Sequence, residues 1–290
     1  MLPHLDPETG LLPVGEHEAS WDEVMERFGW NEKRRALLDG LGEALELLAG
    51  VGCRQVWLNG SFVPAKDEPG DFDACWDPDG VDLDEIDPVF LDLSAGRAAQ
   101  KRRFGGELFP NVIEAGSGLV FADFFQNERG GSPQGDRRPE ARRSDVITND
   151  VQYRSTKSHL AQFEEALANL RAKAGKKPTK LQKLEIDAVA AQADDLRAEI
   201  EDYERLSSGD VSTFEATTLA GLATLLIKAR IARGWTQSRL ADELGVAEQQ
   251  IQRYEATEYR SASLARICDV AAALGIDVAE TGRLRSIDAA

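Results

Sequence analysis

Two carboxylates lie one residue apart in Asp71-Phe72-Asp73, shortly after the dipeptide Gly60-Ser61. On a strand, residues two apart point to the same face, so Asp71 and Asp73 can converge while Phe72 points into the core. Two convergent carboxylates suit Mg²⁺, a hard cation that takes oxygen ligands together with substrate phosphates. Gly60 allows a phosphate to approach the backbone, and Ser61 offers a hydroxyl and an N–H there. The pattern indicates metal-assisted phosphoryl or nucleotidyl transfer.

The same pattern has a structural explanation that needs no chemistry. An Asp-rich edge strand after a turn would also show Gly-Ser, nine intervening residues and then Asp-x-Asp. The context favours a site, because an apolar strand ends in Gly-Ser and a loop with Pro64, Pro69 and Gly70 leads to the carboxylates.

A third carboxylate, Asp123, lies within a strongly apolar run at 118–125 that we predict as a strand. A single Asp in such a strand is costly unless it is paired or binds a metal. We therefore predict Asp123 as the third metal ligand.

A basic stretch precedes that strand, on a helix predicted over 96–104. It can be a solvated helix face, or it can place one or two bases over a triphosphate. The bases are Arg97, Lys101, Arg102 and Arg103.

Residues 14–126 resemble the nucleotidyltransferase (polymerase-β-like) superfamily. The resemblance is closest to an uncharacterised bacterial branch with a Gly-Ser-Phe-Val loop, a Pro-Gly-Asp-Phe-Asp strand and an Asp-Phe-Phe-Gln strand. It implies that Gly60 and Ser61 hold the triphosphate of an NTP, and we add Lys66 of the same loop to the nucleotide-binding residues. It also implies that the catalytic residues Asp71, Asp73 and Asp123 bind two Mg²⁺ ions.

Composition bounds the class of protein. The chain has 290 residues, 42% of them hydrophobic, which suits two soluble domains and a connector. The sequence has no predicted membrane span or signal peptide, and its three cysteines, Cys53, Cys75 and Cys268, are far apart. We therefore expect a reducing cytoplasm.

The net charge of −17 is unevenly distributed. Residues 1–150 hold 30 acids and 15 bases, whereas residues 151–290 hold 21 acids and 19 bases. An acidic first half is not a general polyanion-binding surface, so nucleic acid there must meet a local basic patch or a metal. The second half could bind DNA through one basic face.

Four regions follow from the pattern of helices, strands and breakers. Residues 1–130 form an α+β domain, a small mixed sheet with helices, in which we predict helices at 21–28 and 31–49 and a strand at 54–58. Residues 131–147 form a basic Gly/Pro linker. Apolar residues at helical spacing in 148–208 predict a helical hairpin or short coiled coil that dimerises. Residues 209–290 form an all-α, five-helix domain.

The last region contains a helix, a Gly-centred turn and a second helix, which is the helix-turn-helix pattern. Its residues Thr-Gln-x-x-Leu-Ala, Gly-Val and Ile-x-x-Tyr-Glu, within 236–255, resemble the Xre/Cro family of repressors. In that family the second helix lies in the major groove of double-stranded operator DNA, bound as a homodimer to two half-sites.

The resemblance assigns base contacts to the start of the second helix, where Gln249 is suited to adenine and Glu248 either accepts from cytosine or weakens binding. Gln237 should touch phosphate, helped by a helix N-terminus. For Arg253 and Arg260, a phosphate contact and a surface salt bridge are both open. The full predicted DNA-binding set is Gln237, Ala247, Glu248, Gln249, Gln252, Arg253 and Arg260.

Residues 146–153 also resemble the start of free-standing antitoxin-like Xre regulators. The chain is therefore similar to a DNA-binding antitoxin joined to a toxin-like transferase. The resemblance implies that the protein represses its own gene and that the acceptor of the transferase is a tRNA or a protein hydroxyl. The alternative is a transcription factor whose first domain is a non-catalytic nucleotide sensor or a partner-docking module.

Overall fold

The computed structural model describes residues 2–4, 12–13, 15–59, 62, 69–112, 146–216, 219–259 and 261–279. The chain folds into two compact units. Unit 1 takes its residues from 1–143 and 154–200, and unit 2 takes its residues from 144–153 and 201–290. This division differs from the predicted one, which separated the whole hairpin region 148–208 from the first domain.

Unit 1 begins with two capped helices, α1 (Trp21–Phe28) and α2 (Glu32–Gly50). Ser20 and Glu23 form a capping box, in which the Ser20 hydroxyl accepts from the Glu23 N–H at 3.3 Å and the Ser20 N–H donates to the Glu23 carboxylate at 3.0 Å. Asn31 caps α2, with its side-chain oxygen accepting from the Arg34 N–H at 2.9 Å. Both predicted helices are confirmed.

The sheet of unit 1 has three described strands in the order β1 (Val56–Asn59), β2 (Asp73–Trp76) and β3 (Glu107–Pro110). β1 pairs with β2 antiparallel, and β2 pairs with β3 parallel. The parallel connection contains helix α3 (Ala98–Phe104), close to the predicted helix. The small mixed sheet is thus confirmed, whereas β3 was missed because four residues are too few to show a period. The predicted strand at 118–125 lies outside the described residues.

Alternate residues of β2 enter two different cores. Ala74 and Trp76 pack in one cluster with Leu38 and Leu41 of α2. Cys75 packs in the other with residues of the hairpin. The sheet is therefore covered by helices on both faces, as the period of two along a strand requires.

The predicted hairpin consists of α4 (Asp150–Ala174) and α5 (Lys180–Ser207). Its apolar residues, among them Phe163, Val189 and Leu196, form one core with Cys75 and Phe109 of the sheet. We predicted a second chain as the partner for these stripes, because two helices bury little alone. The sheet of the same chain covers them, which explains why most of the hairpin belongs to unit 1. Homodimerisation stays a prediction.

Unit 2 contains four described helices, α6 (Leu219–Ala232), α7 (Gln237–Leu244), α8 (Glu248–Ala256) and α9 (Leu264–Ala273). They share one core around Leu226, Leu240, Ile251 and Val270, to which Leu206 at the end of α5 also belongs. Residues after 279 are outside the described part, so a fifth helix there stays a prediction. Across the described ranges, no helix is both long and apolar enough to span a membrane.

Arg97 joins the hairpin to the sheet within unit 1. Its guanidinium is bonded to the Glu107 carboxylate on β3 at 2.6 and 2.7 Å and to Asp195 on α5 at 2.5 Å. It also lies 4.5 Å from the centre of the Phe109 ring. The Arg97 and Glu107 side chains are each only 8% exposed, so either charge alone would be left poorly solvated.

We expect Arg97→Met to destabilise unit 1 by about 3 kcal/mol, because it leaves Glu107 buried without its main partner. The matched control is Arg103→Met, which removes the more exposed bridges to Glu43 and Asp87 and should cost far less stability. Chemical denaturation followed by tryptophan fluorescence measures both, since four of the five tryptophans lie in unit 1. Equal effects of the two variants would contradict this role of Arg97.

Candidate functional site

The carboxylate pair lies where β2 begins. Asp73 is the first residue of the strand, Asp71 precedes it by two, and the Phe72 side chain between them is fully buried. The Asp71 side chain is 38% exposed. This is the alternation that the sequence predicted, with the apolar residue in the core and the two acids on the opposite face.

Glu107 is a further carboxylate at this position, and sequence reasoning missed it. The parallel register places it directly beside Asp73, and registered residues of neighbouring strands point to the same face. It is buried, unlike either Asp. Its only sequence signal is a Glu at the start of the short apolar run Leu108-Phe109, which does not distinguish a site from a strand end.

Two basic side chains, Lys101 and Arg97, balance the negative charge of these carboxylates. The Lys101 ammonium on α3 is paired with the Glu107 carboxylate and lies 3.8 Å from an Asp71 oxygen, and Arg97 binds Glu107 from the other side. Burial disfavours the charged form of Lys101, but the hydrogen bond to Glu107 and the charges of Glu107 and Asp71 outweigh burial and raise the pKa of Lys101 above its ordinary value. Lys101 therefore stays protonated at neutral pH beside the carboxylates.

The other predicted residues of this site lie outside the described part of the chain. They are Gly60, Ser61, Lys66 and Asp123. Among the residues that the structure describes, no group of three His, Cys, Asp or Glu side chains is placed to hold a metal ion. The three-ligand Mg²⁺ site and the nucleotide contacts thus stay predictions.

Arg34 holds the backbone next to the predicted phosphate loop. It is fully buried, and its guanidinium donates to the Phe28 carbonyl at 2.5 Å and to the carbonyl of Phe62, one residue after Ser61. Aromatic rings cover the cation, with the Trp30 ring centre at 3.8 Å and the Phe62 ring centre at 4.2 Å. The backbone at Phe62 is therefore tied to α2, a contact that no sequence pattern indicated.

The helix-turn-helix of unit 2 is formed by α7, a short turn and α8. The Thr236 hydroxyl caps α7 by accepting from the Arg239 N–H at 3.1 Å. Gly245 ends α7 in the left-handed conformation, with φ of 64°, which favours glycine. The chain then enters α8 within three residues, as the sequence predicted.

The face of α8 predicted to read DNA is open to solvent. Ala247, Glu248, Gln249, Gln252 and Arg253 are all exposed, whereas the residues of the opposite face are buried. Glu248 accepts a hydrogen bond from Gln252 at 3.1 Å. Within the described ranges, no acid pairs with Arg253, and no side chain bonds Gln249. Arg260 lies outside those ranges.

Gln237 is placed differently from its predicted role. Its side-chain amide donates to the Glu255 carboxylate at 2.7 Å, so it is directed to α8 of the same unit. The predicted phosphate contact would require the amide to leave Glu255 or to bind two acceptors.

A buried ion pair connects α6 to α8 of the helix-turn-helix. Arg230 of α6 and Glu255 of α8 are bonded at 2.6 and 2.8 Å, and their side chains are 3% and 1% exposed. Arg230 also donates to the carbonyls of Trp235 and Thr148, each at 2.7 Å. Together with Gln237, the network fixes both helices of the motif to α6. Sequence reasoning missed it.

Comparisons with known proteins divide the chain in two. Residues 3–137 match the model of a Family of unknown function (DUF6932), and residues 226–280 match the model of the Helix-turn-helix family. No curated protein and no solved structure matches the chain. The second match confirms the predicted helix-turn-helix class. The first carries no function, so the resemblance to nucleotidyltransferases stays a prediction.

We expect Glu255→Ala to destabilise unit 2 by about 3–5 kcal/mol, because it leaves the Arg230 charge buried and unpaired. The control is Glu243→Ala, an exposed acid on α7 whose loss should change stability by less than about 0.5 kcal/mol. Hydrogen exchange of peptides within 219–279 reports this unit separately from unit 1. Unchanged exchange in Glu255→Ala would show that the ion pair does not hold the motif together.

Proposed function

We propose that the chain is a sequence-specific, DNA-binding transcriptional regulator that reads double-stranded operator DNA with α8. The observation that carries this proposal is the exposed polar face of α8 within a helix-turn-helix, where Ala247, Glu248, Gln249, Gln252 and Arg253 are open to solvent. A helix of this kind enters the major groove with its N-terminal residues against base edges.

The side chains on this face suit different parts of DNA. Gln249 can bond adenine through two hydrogen bonds, and Glu248 can accept from cytosine. Arg253 is available for a phosphate. Because the Gln237 amide is engaged by Glu255, we infer that the N-terminus of α7 meets phosphate mainly through backbone N–H groups. Dimeric binding to two half-sites and repression of its own gene extend this proposal.

We expect Gln249→Ala to lose the preference for one adenine in each half-site, at a cost of about 1–3 kcal/mol in affinity for the preferred sequence. Selection from randomised duplexes of about two helical turns, with the full chain, measures this preference. Gln250→Ala is the matched control, since that amide is bonded to the Tyr254 hydroxyl within the helix. An unchanged selected sequence in Gln249→Ala would contradict base reading by this residue.

We further propose that unit 1 is a Mg²⁺-dependent nucleotidyltransferase-like module that uses an NTP. The oxygen donors of Asp71 and Asp73 suit Mg²⁺, and Asp71 remains partly exposed to a ligand. Asp71 and Asp73, with Asp123, would hold two ions, and Gly60, Ser61 and Lys66 would bind the triphosphate. Bound Mg²⁺ would supply activation of the attacking hydroxyl and neutralisation of the leaving pyrophosphate. The acceptor would be a tRNA or a protein hydroxyl, as in a toxin.

One observation favours the rival function, in which unit 1 senses a nucleotide or docks a partner without catalysis. Lys101 and Arg97 already compensate Glu107, and Lys101 lies beside Asp71. A carboxylate cluster with its own cations does not depend on a metal for electrostatic stability. Catalysis would require Lys101 to move away from Asp71 or to contact the nucleotide phosphates.

Asp71→Asn distinguishes these functions. We expect the full chain, incubated with each labelled NTP, Mg²⁺ and cell extract, to transfer label to RNA or protein, and Asp71→Asn to abolish the transfer. Asp79→Asn, an exposed acid in the loop after β2, is the matched control and should transfer normally. Nucleotide binding without transfer would favour the sensor, and neither binding nor transfer would favour the docking module.

A further inference from the structure

The end of the helical hairpin is the most basic described part of this acidic chain. Residues 166–184 contain six bases and no acid, in a protein with a net charge of −17. We define the hairpin tip as residues 171–183, which cover the end of α4, the connection and the start of α5. Its bases are Arg171, Lys173, Lys176, Lys177, Lys180 and Lys183.

The bases of the hairpin tip are exposed and mostly unpaired. All six are exposed, and within the described ranges only Lys180 has a carboxylate partner, Asp84. Elsewhere in unit 1 several bases are engaged by acids, such as Lys101 with Glu107 and Arg197 with Glu164. The hairpin tip therefore projects positive charge that the fold does not use internally.

The scaffold under these charges is well defined. Gly175 ends α4 with φ of 66°, and Thr179 and Gln182 cap α5 reciprocally at 2.9 and 3.2 Å. Lys180 and Lys183 lie in or next to the first turn of α5, where the helix dipole disfavours cations. Asp84 compensates Lys180 there, whereas the placement of Lys183 does not stabilise the helix and points to a role in binding an anion.

The helix-turn-helix region supplies little positive charge for DNA. Residues 226–280 hold seven bases and eight acids. Of these bases, Arg230 is buried against Glu255, and Lys228 is paired with Asp202 at 2.9 Å. Affinity for DNA comes largely from bases that neutralise phosphates and release counterions. Phosphate contacts from another part of the chain would therefore add substantially to those of Arg253 and the α7 backbone.

We propose that the hairpin tip is a second nucleic-acid-binding surface, which contacts the phosphate backbone of duplex DNA without reading bases. The choice of duplex DNA rests on the proposed function of unit 2, whereas the binding of a phosphate backbone rests on the hairpin tip alone. The hairpin tip adds affinity and salt dependence to DNA binding, and the exposed face of α8 adds sequence preference.

The test compares two triple variants of the full chain with equal net charge. Lys173→Gln, Lys176→Gln and Lys177→Gln together remove half of the bases of the hairpin tip. Lys33→Gln, Arg35→Gln and Arg54→Gln together remove three exposed bases elsewhere in unit 1. The probe is a random-sequence DNA duplex of about three helical turns, titrated between about 50 and 200 mM salt.

We expect the hairpin-tip variant to reduce the slope of log affinity against log salt by about 2 to 3, and to bind at least roughly tenfold more weakly at the lowest salt. The control variant should keep the wild-type slope. A wild-type slope in the hairpin-tip variant overturns the proposal, and so does an equal loss in both variants. A loss confined to an RNA hairpin of similar length overturns the assignment to duplex DNA.

The variants test backbone binding by the hairpin tip separately from base reading by α8. Gln249→Ala should keep the salt slope on random-sequence DNA and lose only base preference. If Gln249→Ala has no effect while the hairpin-tip variant loses backbone binding, the inference stands and the reading function of α8 fails.

Discussion

The Arg230–Glu255 pair is the interaction on which the helix-turn-helix unit depends. It joins α6 to α8 across 25 residues, and the same two side chains also engage Gln237, the Trp235 carbonyl and the Thr148 carbonyl. A buried pair of this kind adds little net stability over an apolar pair, but it tolerates only one arrangement of its partners. That property suits the role that we propose for α8, in which exposed side chains meet base edges at fixed positions.

Unit 1 uses buried arginines for the same purpose. Arg97 bonds Glu107 of the sheet and Asp195 of the hairpin, and Arg34 bonds the carbonyls of Phe28 and Phe62. In each case a planar guanidinium with five donors holds several distant chain segments in one geometry. An acidic chain can bury these cations readily, because carboxylates and carbonyls are available to each of them.

Short-range chemistry explains what the sequence could predict. The caps Ser20, Asn31 and Thr236, the Gly245 turn and the alternation around Phe72 depend on residues within four positions of one another, and all were predictable. Glu107 beside Asp73 and Arg230 beside Glu255 depend on strand register and helix packing, which no local period encodes. The sequence also did not show what the apolar stripes of the hairpin pack against, because an apolar stripe indicates a partner without identifying it.

The hairpin packs with the first half of the chain, although the sequence resemblances group it with the second half. A division at the basic linker would assign the hairpin to the antitoxin-like half, yet residues 154–200 belong to unit 1. They cover the sheet face that carries Cys75 and Phe109, and alternation along β2 and β3 places Asp73 and Glu107 on that same face. Asp195 of the hairpin already reaches this position through Arg97. The hairpin is therefore part of the carboxylate cluster's surroundings, and any chemistry there must operate with the hairpin in place.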